Sequence, residues 1–577
     1  MKRAVLIHLF FLFPAMVFAD DKALCDHVFL KEGSLKLNEN EKILVCGSPK
    51  GGEGWQQVPI PQAQLQLGNL FQAQGYLNPR FERQGDVLYA WSGPKSEVKI
   101  LRSEGDNGYL HVDKKRKIIG YPLMPSKLND VQRWADQELR SNGFACPSLK
   151  LEAQAWDETV IVKTETGQNQ TIGDLSYTGL EGLHVDTFQR YRAFYPGDRY
   201  DIRETQITTD RLLADGLFQS AYYVPDCQGD QVHLQLRTSV GKPRIFRFGV
   251  GASTEEFPFV DITFRNARLD DRASSFSTIL HASNIRQTLN LGSELYWFIA
   301  LPRWYFGPRF AIKRENIVAI ESFTSKAGGD LGVYWDNWKV RFAGRFGPSV
   351  NYAKTVRGVG PADTTYSSLE GSLNFQSHNY EVFSRAQYEG WNGNFQYRGN
   401  RKGVGADFSV DRYDVKFKYL WNIGQYSPPL FVLGARLEGS AVMVDEQAAV
   451  NVRATLPPEY RIFMGGDDNL RGFALGSINN SDLGYLTALY SGLELRLVEQ
   501  IPYGIQPFLL ADVARLGNRA QTLDPPLFLS EGVGVRWSTP FGTIRGSAAK
   551  GHIDKKDDST LNYTEQWIYF FSFGQEF

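Results

Sequence analysis

From about residue 243 to the end, the sequence alternates. In Trp338-Lys339-Val340-Arg341-Phe342-Ala343-Gly344-Arg345-Phe346, every second residue up to Phe342, and again at Phe346, is apolar, with lysine and arginines on the other positions. The stretch Arg412-Tyr413-Asp414-Val415-Lys416-Phe417-Lys418-Tyr419-Leu420-Trp421 repeats the pattern. A period of two puts successive side chains on opposite faces of a strand. A single such stretch fits any half-buried strand. Its repetition, with aromatics toward the ends and glycines interleaved, fits a transmembrane β-barrel whose apolar face meets lipid and whose charged face lines water. After residue 20 no apolar run reaches the roughly eighteen residues that a spanning helix needs. At roughly 21 residues per strand with its turn and loop, the stretch from Pro243 to Phe577 predicts about sixteen strands. The pattern is weakest between Ile312 and Phe323 and between Val382 and Arg401.

The first half reads differently. Met1-Lys2-Arg3 is basic, Ala4 to Phe18 is almost wholly apolar, and Val17-Phe18-Ala19 precedes Asp20-Asp21. This is the pattern of a secretory signal peptide over residues 1–19. All four cysteines, Cys25, Cys46, Cys146 and Cys227, follow in this half. In an exported chain they suggest two disulfides. Cys25 with Cys46, stapling a first small domain, and Cys146 with Cys227, joining a second to a third, is one of three possible connectivities. No Cys-x-x-Cys pair points to a metal.

Between residue 20 and about 240 a theme recurs at intervals of about seventy residues: an amphipathic helix, glycine with an apolar residue, then two alternating strands. Leu65, Leu67, Leu70 and Phe71 lead to Gly75-Tyr76; Leu128, Val131, Ala135 and Leu139, with Ser126 as the expected cap, lead to Gly143-Phe144; Ile202 to Ala214 leads to Gly216-Leu217-Phe218. Such recurrence predicts small domains in series, each a little sheet covered by helices. With 63 basic against 64 acidic residues, there is no electrostatic footprint for nucleic acid.

One segment stands apart from the alternation. Arg461-Ile462-Phe463-Met464-Gly465-Gly466 is followed by Asp467, and then by Leu470-Arg471-Gly472-Phe473. Three glycines permit a tight return of the chain, which would carry Arg471 into a confined space where it needs a carboxylate. A second stretch, Gly532-Val533-Gly534-Val535-Arg536-Trp537-Ser538-Thr539-Pro540-Phe541-Gly542, reads as a hairpin, and Leu510-Ala511-Asp512-Val513-Ala514 precedes it.

These segments together resemble the outer-membrane assembly and translocation barrels, the superfamily that includes TamA, BamA and the two-partner secretion transporters. Ile462 stands where that family has an aromatic, and Thr543 where it has a proline. The resemblance implies an α+β array of three periplasmic POTRA modules (β-α-α-β-β) before an all-β sixteen-stranded barrel. Its expected boundaries are 20–95, 96–168, 169–241 and 242–577, with an inward-folded loop over about 446–484. It further implies that Asp512 receives Arg471 inside the lumen. The last strand, carrying Phe571, Phe573, Gly574 and Phe577, is expected to meet the first, carrying Ile245, Phe248, Gly249 and Gly251, at a weak seam where client segments pair. Phe248 is expected to face Phe571 there.

Three modules and this chain length imply a TamA-like subunit. It would work with a TamB-type inner-membrane-anchored periplasmic protein, unfolded outer-membrane clients such as autotransporters, and outer-membrane lipid. The alternatives are a two-partner secretion transporter, a passive pore and a barrel phospholipase. No cofactor and no enzymatic activity is expected: Gly-x-Ser-x-Gly, His-Glu-x-x-His, P-loop and dinucleotide fingerprints are all missing. His111, His233, His281, His378 and His552 have no acid partner at catalytic spacing.

Overall fold

The computed structural model describes residues 22–32, 35, 37–48, 57–106, 108–180, 182–298, 300–336, 339–377, 388–444, 452–498, 500–539, 542–554 and 565–573. The expected signal peptide, His378, the start of the expected loop at 446, Pro540, Gly574 and Phe577 lie outside the described residues.

The first sheet runs β1 (Lys22–Cys25), β2 (Val28–Glu32), β3 (Arg80–Gln84) and β4 (Val87–Trp91), in spatial order β1-β2-β4-β3. Between β2 and β3 lie α1 (Glu39–Cys46) and α2 (Ile60–Ala73). A reciprocal cap starts α1: the Asn38 side chain accepts the Glu41 N–H and Glu41 accepts the Asn38 N–H. Ala63, Leu67 and Phe71, one face of α2 at helical spacing, are buried with Val28, Leu30 and Leu88 of the sheet. The Cys25–Cys46 disulfide ties β1 to the end of α1.

The second sheet comprises β5 (Ile100–Glu104), β6 (Ser148–Gln154) and β7 (Thr159–Glu165), in order β5-β7-β6, with α3 (Pro125–Ser141) ahead of β6. Among the described residues between β5 and α3 lies a single short 3-10 turn, Val112–Lys114. Because α3 begins at Pro125, whose fixed φ and missing N–H suit a first turn, Ser126 lies inside the helix and does not cap it.

In the third sheet, β8 (Thr171–Thr178), β9 (Phe218–Gln228) and β10 (Gln231–Val240) take the order β8-β10-β9, and α4 (Asp186–Tyr191) and α5 (Ile202–Ala214) connect β8 to β9. Val232, Leu234 and Leu236 of β10 are fully buried. The chain separates into two compact units, one holding the first two sheets and the other the third sheet with everything after it. Both disulfides pair as expected; Cys146, between α3 and β6, is bonded to Cys227 of β9, and residues 140–146 fall in the second unit, so this bond lies within it.

After β10 come sixteen antiparallel strands that close on themselves. The first eight are β11 (Arg244–Ser253), β12 (Phe259–Asn266), β13 (Ser275–Ala282), β14 (Arg286–Glu294), β15 (Trp304–Asn316), β16 (Glu321–Asp336), β17 (Val340–Arg357) and β18 (Thr364–Ser377). The rest are β19 (Gly390–Asn400), β20 (Val410–Ile423), β21 (Phe431–Val444), β22 (Thr487–Leu497), β23 (Ile505–Gly517), β24 (Leu527–Thr539), β25 (Gly542–Asp554) and β26 (Trp567–Phe573). Strand length varies around the wall: β12 and β13 have 8 residues each, while β17 has 18. Alternation sets the two faces. On β22, Leu489, Leu493 and Leu495 point outward and are exposed, while Tyr490, Glu494 and Arg496 point inward and are buried.

The third sheet and its helices are fixed to one end of the barrel. Leu183, Phe188 and Leu217 share a core with Ala267 and Ala273 of the β12–β13 turn. Arg211 of α5 pairs with Asp336 at the end of β16 at 2.9 Å, both side chains buried. Arg190 of α4 donates to the Arg272 carbonyl at 2.6 Å, and its guanidinium lies 3.4 Å from the Tyr296 ring centre. A buried ion pair and a cation over an aromatic face both resist separation, since pulling either apart strands a charge away from water.

Candidate lumen latch and barrel seam

Between β21 and β22 the described chain, residues 452–486, turns back into the barrel. Ile462 bridges to Tyr485 and Met464 to Ile478, forming a narrow ladder. Gly465 (φ 106°) and Gly466 (φ 116°) then turn the chain in a region that side chains rarely adopt. The Gly466 N–H donates to the Phe473 carbonyl at 2.9 Å and closes the tip. Leu456, Tyr460, Leu470, Phe473 and Ile478 of this segment are buried against Tyr366, Val442 and Phe528 of the wall, so the lumen holds a hydrophobic core of its own. Ile462, in place of an aromatic, is buried in the same core. Beside it a cavity of about 830 Å³ remains, lined among others by Arg309, Lys326, Glu370, Arg398 and Glu459.

At the tip, Arg471 is fully buried. Its Nε and Nη2 donate to the two carboxylate oxygens of Asp512 on β23 at 3.0 and 2.8 Å, and its Nη1 donates to Glu494 on β22 at 2.6 Å. The Arg471 backbone N–H also donates to Asp512, at 3.2 Å. Tyr490 and Ser530 donate their hydroxyls to the same carboxylate, at 3.0 and 3.3 Å. A forked guanidinium held by two carboxylates, with the remaining lone pairs occupied, is the arrangement in which a buried charge is tolerated. Next to it the Gly472 N–H donates to the Ser530 hydroxyl at 2.9 Å. A Cβ on Gly472 would lie 2.4 Å from the Gly551 nitrogen, so only glycine lets the tip reach β25. Phe473 packs edge-on to Phe528.

Sequence reasoning missed the residues around this fork. Glu494 also accepts from Arg496 at 2.7 Å and from Arg545 at 3.3 Å, which makes it the centre of three arginines. The signal was available, because Glu494 alternates with the outward leucines of β22 and must therefore face inward. Arg436 of β21 donates to the Asp468 carbonyl at 3.1 Å.

In the β24–β25 hairpin, Arg536 is buried. Gly532 and Gly534 leave room for neighbours: a Cβ on Gly534 would lie 2.2 Å from the Phe508 ring, and one on Gly532 would lie 2.3 Å from the Ala548 carbonyl. Gly542 takes φ 136° where the hairpin turns, and the Thr539 hydroxyl donates to its carbonyl at 2.6 Å.

The barrel closes between β11 and β26. Among the described residues, the register there joins only Ala252 to Phe573 and Ser253 to Ser572, and the Thr254 N–H donates to the Phe571 carbonyl at 2.9 Å. On its other side β11 pairs with β12 continuously from Arg244↔Asn266 to Gly251↔Phe259. The expectation that Phe248 faces Phe571 is therefore corrected. The stagger that closes a tilted barrel brings the described residues of β26 alongside the last residues of β11, at the end of the barrel away from the third sheet.

Phe246, Phe248 and Val250, on the edge without a described partner, are exposed. Two further seam residues do something other than expected. Ile245 sits against Gly216 of the third module, where a Cβ on Gly216 would come within 1.9 Å of it. Gly251 makes room for the Phe259 ring, 2.1 Å from where its Cβ would be, while Gly249 pairs with Asp261. His281 also departs from the sequence reading: its ring nitrogens lie 2.7 Å from Asp261 and 3.0 Å from Glu256, acids 20 and 25 residues away that β12–β13 pairing brings to it.

An array of small mixed sheets leading into a closed sixteen-stranded barrel, with an arginine-tipped loop latched in its lumen, defines an outer-membrane barrel of the assembly and translocation class. The chain belongs to the Omp85 superfamily: residues 219–577 match the model described as the Omp85 superfamily domain. Among solved structures, it is similar to BamA from Haemophilus ducreyi lacking POTRA domains 1–3, at 15% identity and a TM-score of 0.50, over 83% of this chain and 98% of that one. It is also similar to CdiB from Acinetobacter baumannii, at 13% identity and a TM-score of 0.45, over 83% of this chain and 90% of that one. CdiB from Escherichia coli matches at 11% identity and a TM-score of 0.45, over 88% of this chain and 95% of that one.

Proposed function

We propose that this protein inserts or secretes client proteins through the β11–β26 seam. The observation that supports this reading is the unequal closure of β11 among the described residues: it is paired to β12 from Arg244 to Gly251 but in register with β26 only at Ala252 and Ser253. A client strand entering lipid carries backbone N–H and C=O groups that cost several kcal/mol each if left unpaired there. Among the described residues, the stretch Arg244–Gly251 is the edge that could receive it. That edge starts where the third module docks, so a client delivered along modules facing the periplasm (20–95, 96–168 and 169–241) meets it first.

Three separate sheets ahead of the barrel support a TamA-like subunit whose first module docks a TamB-type inner-membrane-anchored partner. Co-purification of such a partner with the whole chain, and its loss when residues 20–95 are deleted, is the expected result. An intact chain that brings down no such protein contradicts this part of the reading.

The seam itself is tested by a Ser253→Cys/Ser572→Cys pair. The Thr254–Phe571 bond makes Ser253–Ser572 a non-hydrogen-bonded pair, the closer kind, with Cα atoms about 4.5 Å apart. In vesicles carrying the oxidised variant, insertion of an unfolded autotransporter β-domain should stop and should return on reduction. Full insertion by the oxidised form refutes lateral entry.

A further inference from the structure

The four residues that end β11 and begin its turn each hold something different. Ser253 is in register with Ser572, and Thr254 donates to Phe571, so these two close the seam. Glu256 pairs with His281 at 3.0 Å and with Arg286 at 3.3 Å, anchoring the turn to β13 and β14. Glu255 points the other way, into the lumen. Its Oε1 accepts the backbone N–H of Asp467 at 3.0 Å, and Gly466 is so close that a Cβ there would lie 2.6 Å from the same oxygen.

Asp467 is also held from the opposite side of the seam. Its carboxylate lies 3.2 Å from Nη1 of Arg545 on β25. Arg545 is directly in register with Ser572 of β26, which is in register with Ser253 of β11. The buried side chains of Arg545, Ser572 and Ser253 thus form one inward-facing row across the join, and Asp467 lies over it.

We infer that Asp467 is a staple across the seam, gripped by Glu255 on the first hairpin and by Arg545 on the penultimate strand, so that the seam opens only when the lumen loop lets go of one side. Glu255 and Arg545 are positioning residues in this arrangement: they act on the seam through the loop and touch no client. The assignment rests on the seam reading above for its purpose, but not for its test.

The test is amide hydrogen exchange of the folded whole chain in lipid nanodiscs, with no client present. Glu255→Ala and Asp467→Asn each remove one arm, and each should speed exchange at Thr254 and Phe571, whose amides bond across the seam, about tenfold, the factor that one charge-assisted hydrogen bond is worth. Once either arm is gone the other holds nothing, so the double variant should exchange no faster than the faster single. Two independent structural contacts would multiply instead. Tryptic resistance around Arg471 should stay at the wild-type level, which separates a released staple from a loosened loop. Unchanged seam exchange in both single variants overturns the inference, as does a multiplicative double. A client assay in which the oxidised Ser253→Cys/Ser572→Cys protein stays active would sink lateral entry while leaving this result standing.

Discussion

Replacing Asp512 by asparagine removes one charge and keeps the size of the side chain. In the native lumen Arg471 has no exposed surface and shares its charge between Asp512 and Glu494. Truncating one partner of a buried ion pair costs about 3–5 kcal/mol, because the other charge is left without compensation. Asparagine retains one acceptor oxygen and Glu494 remains, so the expected loss is about 2–3 kcal/mol, or about 30- to 150-fold in the constant for undocking the loop. Trypsin reads that constant directly. Arg453, Arg461 and Arg471 are its sites within the loop, and cleavage of a transiently opened segment follows the open population when reclosing is fast. In detergent micelles Asp512→Asn should be cut within the loop at least about 30 times faster than wild type, while the barrel migrates as folded without heating. A variant cut at the wild-type rate would mean that the hydrophobic core of the loop, and not the fork, holds it in the lumen.

Three further outcomes are expected. Glu494→Gln leaves Arg471, Arg496 and Arg545 facing one another, so its loop should be cleaved at least as fast as that of Asp512→Asn; slower cleavage would place the main counter-charge elsewhere. Gly472→Ala puts a methyl group against the Gly551 backbone, which cannot rotate away, and should release the loop even though the fork is chemically intact; wild-type tryptic resistance would contradict that packing.

The last concerns pH. Burial, and then Asp201 and Asp198, push the Glu204 carboxyl of α5 from 4.5 up to about 8. The folded chain therefore keeps a proton that the unfolded chain releases. Its stabilising effect is complete below pH 4.5 and is lost as pH rises through 8, by up to about 1.4 kcal/mol per pH unit. Glu204→Gln should raise Tm over wild type at alkaline pH and flatten this slope; an equal Tm difference at pH 5 and at pH 9 would refute the assignment.

The barrel was legible because a period of two is written into most of its strands, and strand number follows from length. The fork was legible in part: glycines around Arg471 mark a tight return, and Asp512 lies in a recognisable segment. Glu494 was not singled out, since one acid in a leucine-rich strand looks ordinary until its inward neighbours Tyr490 and Arg496 are seen together. The stagger of the seam could not be read at all. Register between the first and last strands depends on the tilt of the closed wall, a property of all sixteen strands, so the sequence of β11 and β26 alone suggests Phe248 opposite Phe571 where the fold puts Ala252 opposite Phe573. His281 was similarly hidden, because its acids come from a neighbouring strand and turn and not from nearby sequence.

The uneven height of the wall has a consequence for the surrounding lipid. Eight residues of strand, as in β12 and β13, tilted by about 40°, reach only about 21 Å along the barrel axis, whereas the eighteen of β17 reach about 47 Å. A hydrocarbon layer about 30 Å thick fits against the tall side and must compress beside the short one, at a fraction of a kcal/mol for each ångström. Annular lipid is therefore under strain beside β12 and β13, next to β11, and a polypeptide crossing there has less oil to traverse than one crossing beside β17.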